Sequence, residues 1–418
     1  MNYNHPRRQK TAGLIRYSCG ILFMIFCFCY LFFLQGEVLA EAQFVFSKGA
    51  TTYNIFVGAI ITTLILQIVQ WVVGTLSRLP STVYALSYIP SILLLAFLVN
   101  INEERIAQFS LGAWVWIIPV VLVVYILLAI AIHALKGGSM DSDFDLKSQI
   151  YPNFILLFLQ MLVIGFVPQS SDVYHYELKA ERLILAGDYE AVSRVGERSL
   201  RASARLTQLR MYALSQQGLL AERLFEYPQY DGARGLLDIS DTLSVYRFST
   251  QSICRYLGAQ CGKNVKSTDR FYQLLLGEYQ KGDTVVILAN EHTIDYYLCS
   301  LLLEKKLKEW RRELPHYYNL SDSIPHAYDA LPKSYREALL LIGNPQEAFN
   351  GKIVIGSDTL ATLTDREMIA QFRDYQALKA ELKDPVERVN KTHREFGKTY
   401  WWYYDSSHLA TGELEKRK

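Results

Sequence analysis

Apolar residues are unevenly placed along this chain. They gather into five uninterrupted runs in the first 170 residues and then break into a helical rhythm. The runs cover about 17–34, 55–76, 83–101, 111–135 and 151–168, and none contains Asp, Glu, Lys or Arg. A bilayer core about 30 Å thick needs roughly 20 apolar residues in helix, so each run predicts a membrane span. A cleaved leader is the alternative for the first run. Its 18 apolar residues are long for a leader core, however, and no small-x-small site closes it. Arg7, Arg8, Lys10, Arg16, Arg78, Lys136 and Lys147 flank the spans on one side, against Lys48 and Arg105 on the other. Seven against two predicts a cytoplasmic N-terminus, and five crossings then carry residues 171–418 outside the cytoplasm. If the short fifth run did not cross, that region would stay inside.

Beyond residue 170 the apolar positions recur every three to four residues. Tyr174, Leu178, Leu183 and Leu185 lead into Gly187-Asp188-Tyr189-Glu190-Ala191, and Leu206, Leu209 and Tyr212 lead into Gly218. Each reads as helix, tight turn, helix. The two glycines stand 31 residues apart, close to the 34-residue step of tetratricopeptide repeats. Further helices are expected at about 245–257, 269–280, 294–313, 334–342 and 363–382, while the short apolar runs 284–288 and 352–355 admit strands. The expected fold is all-α. A five-helix transmembrane bundle over residues 1–170 is followed by an extramembrane, tetratricopeptide-like helical domain over residues 171–418.

Charge sharpens that division. Residues 1–168 hold 9 Lys+Arg and 7 Asp+Glu, while the remainder holds 34 of each sign. This excludes a wholly soluble protein, a disordered chain and a nucleic-acid binder driven by a basic patch. The expected partners are the lipid bilayer and a protein or peptide, with no nucleic acid. Of Asp, Glu, Lys, Arg and His, only His133 lies within a span, and no pair of broken segments suggests a transporter built from inverted repeats. The acids Glu37, Glu41, Glu103 and Glu104 of the external loops would be the working groups of an enzyme acting on a lipid-linked glycan, which is the alternative reading; a subunit of a transport complex is another.

Candidate chemistry elsewhere is sparse. Asp141, Asp143 and Asp145 begin like a calcium loop, but Leu146 and Pro152 stand where Gly and Glu are required. Cys254, Cys261 and Cys299 follow the spans, and their redox state is left open. Cys254 and Cys261 are too far apart to bridge on one helix unless Gly258 or Gly262 breaks it. His292, Asp295 and Cys299 share a helix face, an arrangement that could activate a thiolate but also arises by chance. His316 and His326 have no visible partner. No catalytic residue, cofactor or metal site is therefore assigned. Aromatic residues are the compositional excess, with 20 of 28 Tyr after residue 168 and a run from Tyr400 to Tyr404. Tyr400, Trp401, Trp402 and Tyr403, with Tyr174 and Tyr212, form the candidate interaction surface. The run reads either as a final helix sealing the domain, as a binding platform, or as a belt at the membrane interface.

Several segments resemble an uncharacterised family of Bacteroidetes multi-pass inner-membrane proteins. They are Tyr212-Ala213-Leu214 through Gly218 to Ala221-Glu222-Arg223-Leu224-Phe225-Glu226-Tyr227-Pro228-Gln229, then Leu331-Pro332-Lys333-Ser334-Tyr335-Arg336-Glu337-Ala338-Leu339. Phe396-Gly397-Lys398-Thr399-Tyr400-Trp401 and the early Phe44, Gly49, Thr51 and Tyr53-Asn54 agree. The resemblance implies a Gram-negative inner-membrane protein with its C-terminal domain in the periplasm. It brings no known activity, so no catalytic residue is carried over. The expectation is a membrane-anchored scaffold whose periplasmic domain binds protein or peptide.

Overall fold

The computed structural model describes residues 5–100, 112–135, 146–166, 172–197, 199, 201, 203–239, 247–258, 267–276, 278–281, 284–287, 290–320, 327–355 and 359–405. The chain divides into two compact units. One is Met1–Leu178 with Val245–Arg247, and the other is Lys179–Ser244 with Phe248–Lys418.

The first unit is helical throughout its described residues. Its elements are α1 (His5–Cys29), a π-helical turn (Tyr30–Leu34), α2 (Gly36–Phe46), α3 (Ile55–Ser77), a 3-10 segment (Ser81–Tyr88), α4 (Ile89–Val99), α5 (Trp114–Leu135) and α6 (Leu146–Phe166). Five stretches are long and apolar enough to cross a membrane: Ala12–Leu34, Ile55–Ser77, Ser81–Val99, Trp114–Ala134 and Gln149–Phe166. Large apolar side chains such as Ile25, Ile68, Trp116, Val124 and Phe158 point outward from them, as lipid-facing positions do.

Neighbouring ends of these helices alternate. Asn153, near the start of α6, donates to the Ser81 carbonyl at the start of the third span, 2.7 Å away. At the other end, the Tyr30 hydroxyl donates to the Ile164 carbonyl at 3.4 Å. The Phe97 and Trp114 rings meet there too, with centroids 5.9 Å apart. His133 Nε2 donates to the Ser77 carbonyl at 2.8 Å, back on the first side. The fifth helix therefore runs the length of the bundle, and the chain enters at one end and leaves at the other.

The third span does not begin as an α-helix. From Ser81 to Tyr88 it is 3-10, with Val83 outside helical geometry at φ −130°. Pro90 falls in the first turn of α4, where its missing N–H is tolerated. An irregular segment in hydrocarbon must find partners for its backbone. Asn153 and Gln160 of α6 supply them. The Asn153 side-chain oxygen accepts the Ala85 N–H at 2.7 Å, and Gln160 donates to the Ala85 carbonyl at 3.1 Å. On the α3 side, Gln70 donates to the Tyr84 hydroxyl at 2.9 Å and to Ser87 Oγ at 3.0 Å, and Gln67 donates to Gln70 at 2.9 Å. Ser91 Oγ reaches the Leu66 carbonyl at 2.9 Å.

The second unit takes over within α7 (Asp172–Leu185). It continues through α8 (Tyr189–Arg194), α9 (Ala204–Gln216), α10 (Leu220–Arg223), α11 (Ala233–Leu236), α12 (Thr250–Tyr256) and α13 (Thr268–Leu275). A hairpin of β1 (Glu278–Lys281) and β2 (Thr284–Ile287) follows, then α14 (Glu291–Leu303), α15 (Leu307–Tyr317), α16 (Lys333–Ile342) and α17 (Pro345–Ala348). A second hairpin pairs β3 (Lys352–Ile355) with β4 (Thr359–Thr362). After it come α18 (Arg366–Glu381), α19 (Pro385–Phe396) and α20, which covers residues 400–405. Both hairpins are antiparallel, Tyr279 facing Val286 and Ile353 facing Ala361.

Gly187 at φ 76° and Gly218 at φ 69° make the left-handed turns between helices of the two glycine-centred units. The helices that follow, α8 and α10, have only 6 and 4 residues. The core is rich in rings, with Trp310, Trp401, Tyr272, Tyr296, Tyr335, Tyr375 and Tyr400 among its largest fully buried side chains.

Several elements differ from the sequence expectation. The single helix expected at 294–313 is two, because Lys305 adopts φ 59° and turns the chain between α14 and α15. The helix expected at 269–280 ends at Leu275, and the polar segment Glu278–Lys281 pairs with β2 instead. The fifth run, expected from about residue 151, belongs to a helix that already begins at Leu146, so Pro152 lies inside α6. The short helix α2 and the strand β4 carry no apolar run that announces them.

Replacing Asn153 with Ala should leave the Ala85 N–H without its partner. The expected cost is about 1–3 kcal/mol of bundle stability, measurable by steric-trap unfolding in bicelles. A change within about 0.5 kcal/mol, the scatter of ordinary surface substitutions, would mean that the 3-10 segment does not depend on this amide.

Candidate functional site

Helix α14 organises the polar centre of the second unit. Asn290 caps it, its side-chain oxygen accepting the Thr293 N–H at 2.7 Å, and its amide donates to the Tyr256 carbonyl at 3.4 Å. Thr293 Oγ1 donates to the Leu257 carbonyl at 2.8 Å, so the end of α12 is tied to the start of α14. The sequence places His292, Asp295 and Cys299 on this helix, and the structure sends each to a different task.

Asp295 accepts hydrogen bonds from the Tyr318 hydroxyl at 2.7 Å and the Tyr335 hydroxyl at 3.1 Å. Burial raises its carboxyl above the usual range, and the two hydroxyls partly oppose that rise. Cys299 is fully buried with a free thiol, its sulfur 3.7 Å from the Tyr335 hydroxyl. Burial, and next the Asp295 charge, push this thiol well above its ordinary value. A nucleophilic cysteine needs the opposite shift. The thiol therefore sits as a packing group, in surroundings unsuited to a nucleophile.

His292 turns to the surface. Its ring lies 4.8 Å from that of Tyr256, whose ring meets Tyr212 at 5.1 Å. Tyr212 also contacts Tyr189 at 6.2 Å and Phe248 at 4.7 Å. Hydrogen bonds fix the array. Gln216 donates to the Tyr212 hydroxyl at 2.7 Å, and Ser215 Oγ lies 3.1 Å from the Tyr256 hydroxyl. Tyr212 and Phe248 are buried at its base, while Tyr189, Tyr256 and His292 remain half-exposed. Burial pushes the Tyr256 hydroxyl up to about 12, so it stays protonated and able to donate at neutral pH. The result is an aromatic ledge, with rings fixed from below and edges open above. Sequence reasoning singled out Tyr212 as an interaction residue and His292 only as a member of a possible thiolate-activating trio. The spacing Tyr212, Tyr256 and His292 gives no local signal, because three separate elements supply the rings.

The remaining candidates are placed as follows. Tyr174 is buried and packs with Val38 and Leu178 inside the first unit. Tyr400 and Trp401 are completely buried and Tyr403 nearly so. Trp401 faces Phe372 at 5.0 Å, and Phe225 lies 5.1 Å from Tyr400 and 5.0 Å from Tyr403. Trp402 keeps partial exposure and meets the His393 ring at 4.5 Å. The structure brings Tyr400, Trp401, Trp402 and Tyr403 together in α20 and does not group them with Tyr174 or Tyr212.

Of the acids expected in loops, Glu41 instead lies within α2, where it is buried and accepts from Arg247 Nε at 2.8 Å. Glu103, Glu104, the Asp141–Asp145 tract, Cys261 and His326 lie outside the described residues. Cys254 is disulfide-bonded. Among the described residues, no three His, Cys, Asp or Glu side chains converge on a possible metal site.

A family model, that of a family of unknown function (DUF6057), matches residues 103–259 and 288–407, about two thirds of the chain. The uncharacterized protein MJ1085 of Methanocaldococcus jannaschii is 30% identical over 102 residues, which are 24% of this chain and 19% of that protein. This chain thus spans about a fifth of that curated relative's length. No solved structure matches.

Peptide mapping after iodoacetamide treatment at mildly alkaline pH should find Cys299 unmodified in the folded protein and modified after denaturation. The expected contrast is at least about 100-fold in rate, given burial and a raised thiol pKa. Rapid labelling of the folded chain would show an accessible thiolate and reopen the catalytic reading.

Proposed function

The chain belongs to the DUF6057 family of unknown function, and we propose that it is a membrane-anchored scaffold whose helical domain binds a protein or peptide outside the cytoplasm. The observation that carries this reading is the ledge of Tyr189, Tyr256 and His292, held by buried Tyr212 and Phe248. Fixed aromatic rings bury large area at little loss of side-chain entropy, which is why they dominate protein-binding surfaces. By contrast, the buried acids of the domain serve internal bonds. Glu181 accepts the Phe248 N–H, Asp295 accepts two tyrosine hydroxyls, and Glu337 accepts the Tyr400 N–H.

The proposed setting is the inner membrane of a Gram-negative bacterium, with the N-terminus in the cytoplasm and residues 171–418 in the periplasm. Three features support it. Lys and Arg favour the N-terminal side of the spans by seven to two. Five helices bring the chain out at the end of the bundle opposite to its entry. The disulfide at Cys254 suits an oxidising compartment. The two glycine turns 31 residues apart support a tetratricopeptide-like stacking of helix pairs in that domain.

A photo-crosslinking amino acid at Tyr256, in the full chain within native membranes, should give a discrete adduct. Ala at Tyr189 and His292 should abolish it while the protein still melts at its normal temperature. No adduct from a folded protein would refute the ledge as a binding surface. Proteolysis of spheroplasts carrying a tag after Lys418 tests the setting separately, cleavage from outside being the expected result.

A further inference from the structure

Helix α20 is held at its two ends by different means. At its start, where a helix leaves backbone N–H groups without partners, Glu337 Oε2, an acceptor in either protonation state, accepts the Tyr400 N–H at 2.7 Å. The Trp401 indole N–H donates to the backbone carbonyl of the same Glu337 at 2.8 Å. One residue of α16 thus grips both the backbone and a ring of α20. At its far end the Tyr403 hydroxyl donates to the Leu303 carbonyl at 2.7 Å, and Lys379 and the Tyr375 hydroxyl each lie 2.6 Å from Asp405.

The surroundings of Glu337 are poorly suited to a negative charge. Its side chain is 2% exposed, and Lys333 Nζ stands 3.8 Å away on a side chain that is 34% exposed. Arg336 is engaged with Asp365 at the start of α18. Glu222 of α10 adds a second acid, accepting the Lys333 backbone N–H at 2.6 Å. The first backbone N–H of α20 completes the set of groups that bear on Glu337.

We propose that Glu337 is a proton-operated latch on the carboxyl-terminal aromatic helix. With its carboxyl protonated the helix stays seated, and ionisation loosens it and uncovers the seat of Phe225, Phe372 and Tyr375. Burial raises this carboxyl from 4.5 to about 7, against the opposing effects of the Tyr400 N–H, Lys333 and Arg336. Once the helix lifts away, water reaches the group and its value falls back toward the ordinary one. A raised value in the seated form means that seating is most favoured at low pH and is progressively lost as pH climbs through about 7. Between those two values the seating equilibrium falls by up to about tenfold per pH unit, and it is flat above.

Hydrogen exchange of the full chain in nanodiscs, corrected for intrinsic rates, reads this directly at residues 400–405. Protection should fall by up to about tenfold per pH unit on approaching neutrality and then level off. Glu337→Gln keeps an acceptor for the Tyr400 N–H and carries no charge, so its profile should be flat and protected. Lys333→Met removes the nearest cation and should move the midpoint to higher pH, a shift that a merely structural role would not produce. A flat wild-type profile, or an unchanged slope in Glu337→Gln, overturns the latch. So does a slope that disappears in His393→Gln while persisting in Glu337→Gln, which would assign the pH dependence to the side chain that lies tilted against Trp402.

Discussion

A backbone amide in hydrocarbon has no water to fall back on, and the first unit is arranged around one place where that demand is hardest to meet. The 3-10 segment Ser81–Tyr88 cannot satisfy itself as an α-helix would. Asn153 and Gln160 on one side, with Gln70 on the other, complete its hydrogen bonds. These contacts fix α3, the third span and α6 in mutual register, and with them the alternation of helix ends. Polar side chains within the apolar helices act here as structural connectors. Their partners are main-chain atoms and neighbouring side chains of the same bundle.

The second unit applies the same economy with acids. Glu181 and Glu337 are buried and Asp295 is half-buried, and each is given internal donors: one backbone N–H for Glu181, two tyrosine hydroxyls for Asp295 and one backbone N–H for Glu337. A buried acid without such donors, protonated or not, would be costly. With them it joins segments that are distant in sequence, Tyr400 to Glu337 across 63 residues and Phe248 to Glu181 across 67. Some of the tyrosines serve the same end. Rings such as Tyr335 and Tyr375 fill the core while their hydroxyls reach acids or carbonyls.

How much of this was legible in the sequence depends on the range of the interaction. The five spans were, because each is a local apolar run, and the turns at Gly187 and Gly218 were, because glycine there has a local reason. Pro90 hinted at irregularity in the third span. Asn153 and Gln160 were visible as amides in an apolar run, but a search confined to ionisable residues passed over them. Strands β1 and β4 were not legible, since Glu278–Lys281 is polar and owes its form to pairing with β2. The aromatic run from Tyr400 left its burial open, because the decision rests on Glu337 far upstream. The ledge at Tyr256 and His292 was missed for the same reason.

The five apolar helices also differ in how much each depends on the others. The fourth, Trp114–Ala134, is the most apolar and contributes little of its surface to the bundle, so its own side chains suit an apolar surrounding without help from neighbours. The fifth is the least apolar and carries Asn153 and Gln160, whose partners are backbone atoms of the third. The last helix is thus complete only when docked on the third, a dependence the fourth does not share.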